Sequence, residues 1–149
     1  MPAPAIRPAT NADLPAMAGI YAHHVLHGTA SFETEPPSAD ELGARMAKVR
    51  QDGLPWIVAE LDGAVVGYAY ATIYRGRRAY RYTAEDSVYV QHDCTGRGVG
   101  RALLGSLITA CEQAGCRQMV AVIGDSANAP SIRLRLILTR YIRGVSLKR

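Results

Sequence analysis

Apolar positions along the chain recur at two spacings, and the switches between them divide it into elements. Residues 3–7 alternate as a short strand that Pro8 ends. Thr10 with Asp13 three residues on resembles a capping box, with Asp for the usual Glu, and Leu14, Met17, Ile20, Tyr21, His24 and Val25 then follow at helical spacing. Residues 28–37 carry no period. Ser38 and Glu41 start a second helix, whose buried stripe is Leu42, Met46 and Val49. Residues 56–60, an Asp62-Gly63 turn and residues 64–74 predict an antiparallel hairpin. Ser87-Val88-Tyr89-Val90 is a short strand, which Glu85 opens. A third helix is predicted over 101–115, burying Leu103, Leu104, Leu107, Ile108 and Cys111 and stopping at Gly115. Residues 119–123 form an unbroken apolar run, as in a strand buried on both faces. Strands and helices mixed in this way over 149 residues, 48% of them hydrophobic, predict one α/β domain over 1–149 with its own core.

The stretch between the short strand and the third helix carries the most chemistry. Glycines at 96, 98 and 100 make a strand, glycine-rich loop and helix junction, with Arg97 and Arg101 beside it. Without Cβ atoms the backbone can approach a phosphate, whose charge the free N–H groups and dipole of a helix start attract. Two familiar loops fail here. No Lys-Ser or Lys-Thr follows for a P-loop, and G-x-G-x-G so late in the chain fits the dinucleotide fingerprint only in part.

Other clusters have more than one meaning on sequence alone. Arg75, Arg77, Arg78 and Arg81, interleaved with Tyr74, Tyr80 and Tyr82, could stack on bases or could be a solvated connection. Phe32, the only Phe, could plug the core or line a pocket. His23, His24 and His27 could be metal ligands, but no nearby carboxylate completes a site, and helix-end histidines are the simpler assignment. Cys94, Cys111 and Cys116 lack C-x-x-C spacing, so neither a disulfide framework nor a zinc site is suggested, and reduced, partly buried thiols are expected. Glu85 could be a solvated charge or a proton acceptor. Asp86 must face the other side of the strand by period two.

Four ordered blocks resemble the GNAT acyl-CoA N-acyltransferases, specifically the phosphinothricin and methionine sulfoximine acetyltransferase branch. They are Phe32-Glu33-Thr34-Glu35-Pro36, Arg77-Arg78-Ala79-Tyr80, the run from Thr83 through Val90, and the run from Val120 through Ser126. The resemblance spans about residues 6–134. It implies a mixed central sheet flanked by helices in the order β-α-α-β-β-β-α-β-α, with acetyl-CoA as cosubstrate and no metal. The family's phosphate loop falls on Thr95, Gly96, Arg97, Gly98, Val99 and Gly100, with Thr95 where Gln or Arg is preferred; Arg101 lies next to it. The resemblance further implies that the pantetheine arm lies against the backbone of residues 87–90. An N–H near Val88 would polarise the thioester oxygen, although Val88 and Val90 are equally explained by core packing. Asn128 and Ser131 match the N-x-x-S/A step, where Asn128 would bond the arm. Arg77 and Tyr80 match positions holding the acceptor's carboxylate and its phosphinyl or sulfoximine group, and Arg binds a carboxylate bidentately. Phe32 would line the acceptor pocket, and Glu85 matches the general base that deprotonates the attacking amine. Transfer would be direct, because Cys94 has no matched partner for an acyl-enzyme route.

Charge narrows the classes. The formal net charge is +4, but six of the 17 cations and no acids lie in residues 132–149, leaving 11 cations against 13 acids elsewhere. Only this tail is basic, a weak nucleic-acid footprint. No apolar run approaches the roughly 20 residues of a membrane span and no signal peptide opens the chain, so a soluble cytosolic protein is expected.

After Leu134 the resemblance stops. Arg135 stands where the branch has a histidine, and the branch's last two strands, which pair with the fifth strand and form much of a homodimer contact, have no counterpart. A truncation or a frame change near codon 135 is the hypothesis that accounts for this; an intact locus with the usual continuation in the same frame would count against it. The fifth strand should then have an uncovered edge. The leading expectation is an acetyl-CoA-dependent N-acetyltransferase for a small amino-acid acceptor. The alternatives are a protein N-terminal acetyltransferase of the same fold and a catalytically silent CoA-binding module.

Overall fold

The structure, a computed structural model, describes residues 3–27, 35–73, 83–94, 96–122 and 145–148. Its strands are β1 (Ala5–Pro8), β2 (Trp56–Leu61), β3 (Ala64–Ile73), β4 (Thr83–Val90), β5 (Gln118–Val122) and β6 (Val145–Lys148); its α-helices are α1 (Leu14–His27), α2 (Ala39–Gln51) and α3 (Val99–Gln113). The strands form one sheet in chain order. β1 to β4 are mutually antiparallel, whereas β4, β5 and β6 run parallel.

The helix starts form as the capping residues dictate. The Ser38 hydroxyl accepts from the Glu41 N–H at 3.1 Å and begins α2. The Asp13 carboxylate reaches back to accept from the Thr10 N–H at 2.8 Å, so a 3₁₀ turn over Asn11–Asp13 leads into α1. Asp13 is also clamped through both oxygens by the Arg7 guanidinium, at 2.7 and 2.8 Å, and Arg7 donates to Glu60 of β2 as well. These bonds hold the Asp13 carboxyl at about 2, below its ordinary value, mainly through Arg7. A depressed carboxyl stabilises the fold above its unfolded pKa, and that contribution is lost as pH falls toward 2. Asp13→Asn should therefore lower stability at neutral pH by about 1 kcal/mol, allowing for the exposure of Arg7. In urea melts across pH, the two proteins should converge between about pH 4 and pH 2.

The sheet is covered on both faces. α3 buries Val99, Leu103, Leu104, Leu107, Ile108 and Cys111 against Ile57, Ala59, Ala69, Ala71, Ala84 and Met119. Each fully buried leucine there contributes roughly 2 kcal/mol. α1 and α2 cover the other face with Met17, Ile20, Tyr21, Leu42, Met46 and Val49, over an aromatic layer of Trp56, Tyr68 and Tyr89. Trp56 stacks on Tyr70 at 4.0 Å, and Tyr21 meets Tyr89 edge-on at 4.9 Å. Among the described residues no helix is long and apolar enough to cross a membrane.

Three expectations shift. β4 starts at Thr83, so Glu85 is its third residue and not its first: Ala84 to Val90 already pair with β3, and Thr83 to Asp86 with β5. α3 starts at Val99, two residues early, because Gly98 serves as its N-cap, leaving Val99, Gly100 and Arg101 in its first turn and not in the loop. The edge of β5 is not bare: Met119 to Val122 pair with Val145 to Lys148 of the basic tail, which supplies one further strand where none was expected.

Candidate active site

Among the described residues the β4–β5 register runs from Thr83↔Gln118 to Asp86↔Ala121, while β4 continues to Val90 against β3. In an antiparallel ladder the N–H and C=O of a residue share a side, and sides alternate along the strand. The Gln91 N–H bonds to the Val66 carbonyl at 2.8 Å, which sets the phase. Odd residues from Glu85 to Tyr89 therefore address β3, and the N–H and C=O of Val88 and Val90 address the side on which Thr83 to Asp86 pair with β5. Among the described residues no strand pairs with that edge.

The Val90 carbonyl has a different partner. His24 of α1 holds it through Nε2 at 2.8 Å; a carbonyl only accepts, so the imidazole carries its proton on Nε2. The helical stripe had placed His24 on the buried side of α1, and a polar residue in an apolar stripe was the available signal. All four histidines of the chain gather here: His23 stacks on His92 at 4.1 Å and lies 4.9 Å from His27. Burial first, and then the imidazoles of His92, His27 and His24, push the His23 pKa down. A cavity of about 390 Å³ lies against this cluster, bounded by Gly19, Ile20, Val65 and Gln91 among others. Among the described residues no three His, Cys, Asp or Glu side chains are arranged to hold a metal ion.

Beyond Val90 the chain passes through a 3₁₀ turn, His92–Cys94, and reaches the glycines. Gly96 and Gly98 both have φ of 80°, the left-handed region that costs other residues energy. A Cβ at either would meet no atom within 4 Å, so the backbone stands open to a ligand. α3 then begins with no side-chain cap, leaving its first N–H groups facing the opening. Arg97 and Arg101 are exposed beside it. This combination suits a diphosphate at the loop and an amide-bearing arm along β4.

Glu85 and Asp86 fall on opposite faces, as period two requires. Asp86 is buried on the α3 side, near enough to Cys111 to raise its thiol pKa, whereas Glu85 is half-buried on the side of α1 and α2. Burial, followed by the charge of Asp86, raises the Glu85 pKa above its usual value. Such a carboxylate is a better proton acceptor at neutral pH. It precedes Asp86, the last β4 residue paired with β5 among the described residues. Val88 and Val90 on β4 are followed in the chain by Gly96, Arg97 and Gly98 and then by Val99, Gly100 and Arg101 of the first turn of α3, whose Val99 side chain is buried in the core. Phe32, Arg77, Tyr80, Thr95, Asn128, Ser131 and Arg135 lie outside the described residues.

The model of the acetyltransferase (GNAT) family matches residues 19–135. A phosphinothricin N-acetyltransferase of Alcaligenes faecalis is 56% identical over 129 residues, which cover 87% of this chain and 66% of the relative, just under two thirds of its length. An L-methionine sulfoximine/L-methionine sulfone acetyltransferase of Salmonella typhimurium is 41% identical over 129 residues, 87% of this chain and 75% of that protein. The crystal structure of a GNAT superfamily phosphinothricin acetyltransferase from Sinorhizobium meliloti, in complex with acetyl-CoA, superposes with a TM-score of 0.87. It is 43% identical, and the match covers 91% of this chain and 73% of that one.

Proposed function

Because this chain belongs to the GNAT acetyltransferase family, we propose that it moves the acetyl group of acetyl-CoA to the α-amino group of a small amino acid of the phosphinothricin or methionine sulfoximine type. The observation that carries the proposal is the β4 edge at Val88 and Val90, with which no described strand pairs, beside a raised carboxylate and ahead of a helix start without a side-chain cap. Acetyl-CoA supplies an activated thioester carbonyl.

The chain's own groups divide the work. The N–H groups at the start of α3 and the loop of Gly96 and Gly98 receive the diphosphate. The Val88 and Val90 edge aligns the arm, and the Val88 N–H donates to the acetyl oxygen as charge grows on it. Glu85 takes the proton from the acceptor's ammonium, so that the neutral amine attacks directly. Arg77 and Tyr80 hold the acceptor's carboxylate and its phosphinyl or sulfoximine group, Phe32 lines its pocket, and Asn128 with Ser131 steadies the arm. These assignments rest on the motif resemblance.

The test is thiol release from acetyl-CoA with phosphinothricin or methionine sulfoximine, beside calorimetric titration of CoA alone. Turnover on either amino acid supports the proposal. CoA binding without turnover would mark a silent module, and turnover only on a peptide N-terminus would mark a protein acetyltransferase. Gly98→Val should weaken CoA binding about tenfold or more, because a branched side chain is strained at φ 80° and covers the helix start. An unchanged dissociation constant in a folded Gly98→Val protein would remove the loop from the site.

A further inference from the structure

Helix α3 ends in a Schellman motif. Gly115 is left-handed at φ 94°, its N–H bonds back to the Glu112 carbonyl at 3.0 Å, and the Cys116 N–H bonds to the Cys111 carbonyl at 2.9 Å. The six-to-one bond draws together the side chains at its two ends, where such caps ordinarily make an apolar contact. Here both ends are cysteines. Cys111 is fully buried in the core beneath α3, and Cys116 is half-buried against the same core. The two thiols are near enough for each to shift the pKa of the other. Sequence spacing alone suggested no pairing, because four residues separate them.

We propose that Cys111 and Cys116 are a dithiol that a peroxide closes into a disulfide, clipping the end of α3 to the chain entering β5. The inference does not depend on the acetyltransferase proposal. The neighbouring Cys111 thiol lowers the pKa of the outer, half-buried Cys116, whereas Cys116 and burial push Cys111 up. Cys116 is therefore the attacking sulfur. Its thiolate takes one peroxide oxygen, the O–O bond breaks, and the departing hydroxide becomes water, leaving a sulfenic acid. The Cys111 sulfur then attacks the Cys116 sulfur. The S–O bond breaks, and the hydroxyl leaves as a second water with the Cys111 proton. Two thiols lose two electrons and two protons, and the peroxide is reduced to two waters. Cys94 lies before the start of α3, some 15 Å or more along the helix from Cys111, and cannot join in.

The test treats the whole protein with hydrogen peroxide and digests it with trypsin without reductant. Both cysteines fall in the tryptic peptide 102–117 and Cys94 in the peptide 82–97. The expected result is that peptide 102–117 loses the mass of two hydrogens, recovers it with dithiothreitol, and fails to lose it in Cys116→Ser. The oxidised protein should also melt roughly 5 °C higher, since a short loop is closed without displacing the cap. Oxidation of Cys116 to a sulfinate while Cys111 remains alkylatable, or cross-linking through Cys94 with peptide 102–117 unchanged, would overturn it. The wild-type mass decides the matter even if Cys116→Ser does not fold.

Discussion

Glu85→Gln is expected to cut kcat for acetyl transfer by about 10²- to 10⁴-fold, while the affinity for CoA stays within about twofold. Gln keeps the size and hydrogen-bonding reach of Glu but cannot accept the ammonium proton. The proposed CoA path along Val88, Val90 and the start of α3 is untouched. The wild type should show a rate that rises with pH as Glu85 ionises, with the acid limb displaced above the ordinary carboxylate range by burial and by Asp86. That limb should vanish in the variant. The same displacement costs stability: a carboxyl whose folded pKa is raised favours folding most at low pH, and the benefit is lost as pH rises through that pKa. Glu85→Gln should therefore be at least as stable as the wild type at neutral pH. Activity within about threefold of wild type, at unchanged CoA affinity, would take Glu85 out of the mechanism.

Gly67→Val is expected to destabilise the protein by about 3 kcal/mol and to weaken CoA binding as well. Gly67 lies on β3 under the first turns of α3, opposite Val90. A Cβ there would stand 2.9 Å from Leu103 Cδ1, 3.0 Å from the Tyr89 carbonyl oxygen and 3.1 Å from Val99 Cγ1. Two of these neighbours are in the packed core and the third is backbone, so the helix must lift. Because Val99 and Leu103 belong to the turns that present the N–H groups, relief of the clash moves the proposed anion site. Thermal melts should show a loss of roughly 6–12 °C, with Gly67→Ala intermediate. A Gly67→Val protein melting within about 2 °C of wild type would mean that α3 does not pack so closely.

The elements most legible in the sequence are those set by neighbours in the chain. Ser38 with Glu41, Asp62-Gly63, the stripes of α2 and α3 and the glycine junction all act within a few residues, and each appears where its local chemistry put it. Period two separated Glu85 from Asp86 for the same reason. The start of α3 was placed late because Gly98 and Gly100 read as loop, whereas a left-handed N-cap lets the helix begin between them. The tail after Leu134 matched no pattern, yet its last residues find a strand partner in β5.

What the sequence determined by itself was the elements from β1 to β5, the family resemblance and the choice of Glu85 over Asp86, since periodicity, caps and motif blocks are properties of contiguous residues. Tertiary structure alone decided which part of β4 pairs with β5, because Thr83 to Asp86 meet a strand that begins 35 residues later. It also decided that His24 holds the Val90 carbonyl, 66 residues away, and that Gly67 is the one residue small enough beneath Val99 and Leu103. No side chain in residues 87–90 encodes those partners, which follow from how the whole sheet twists and packs.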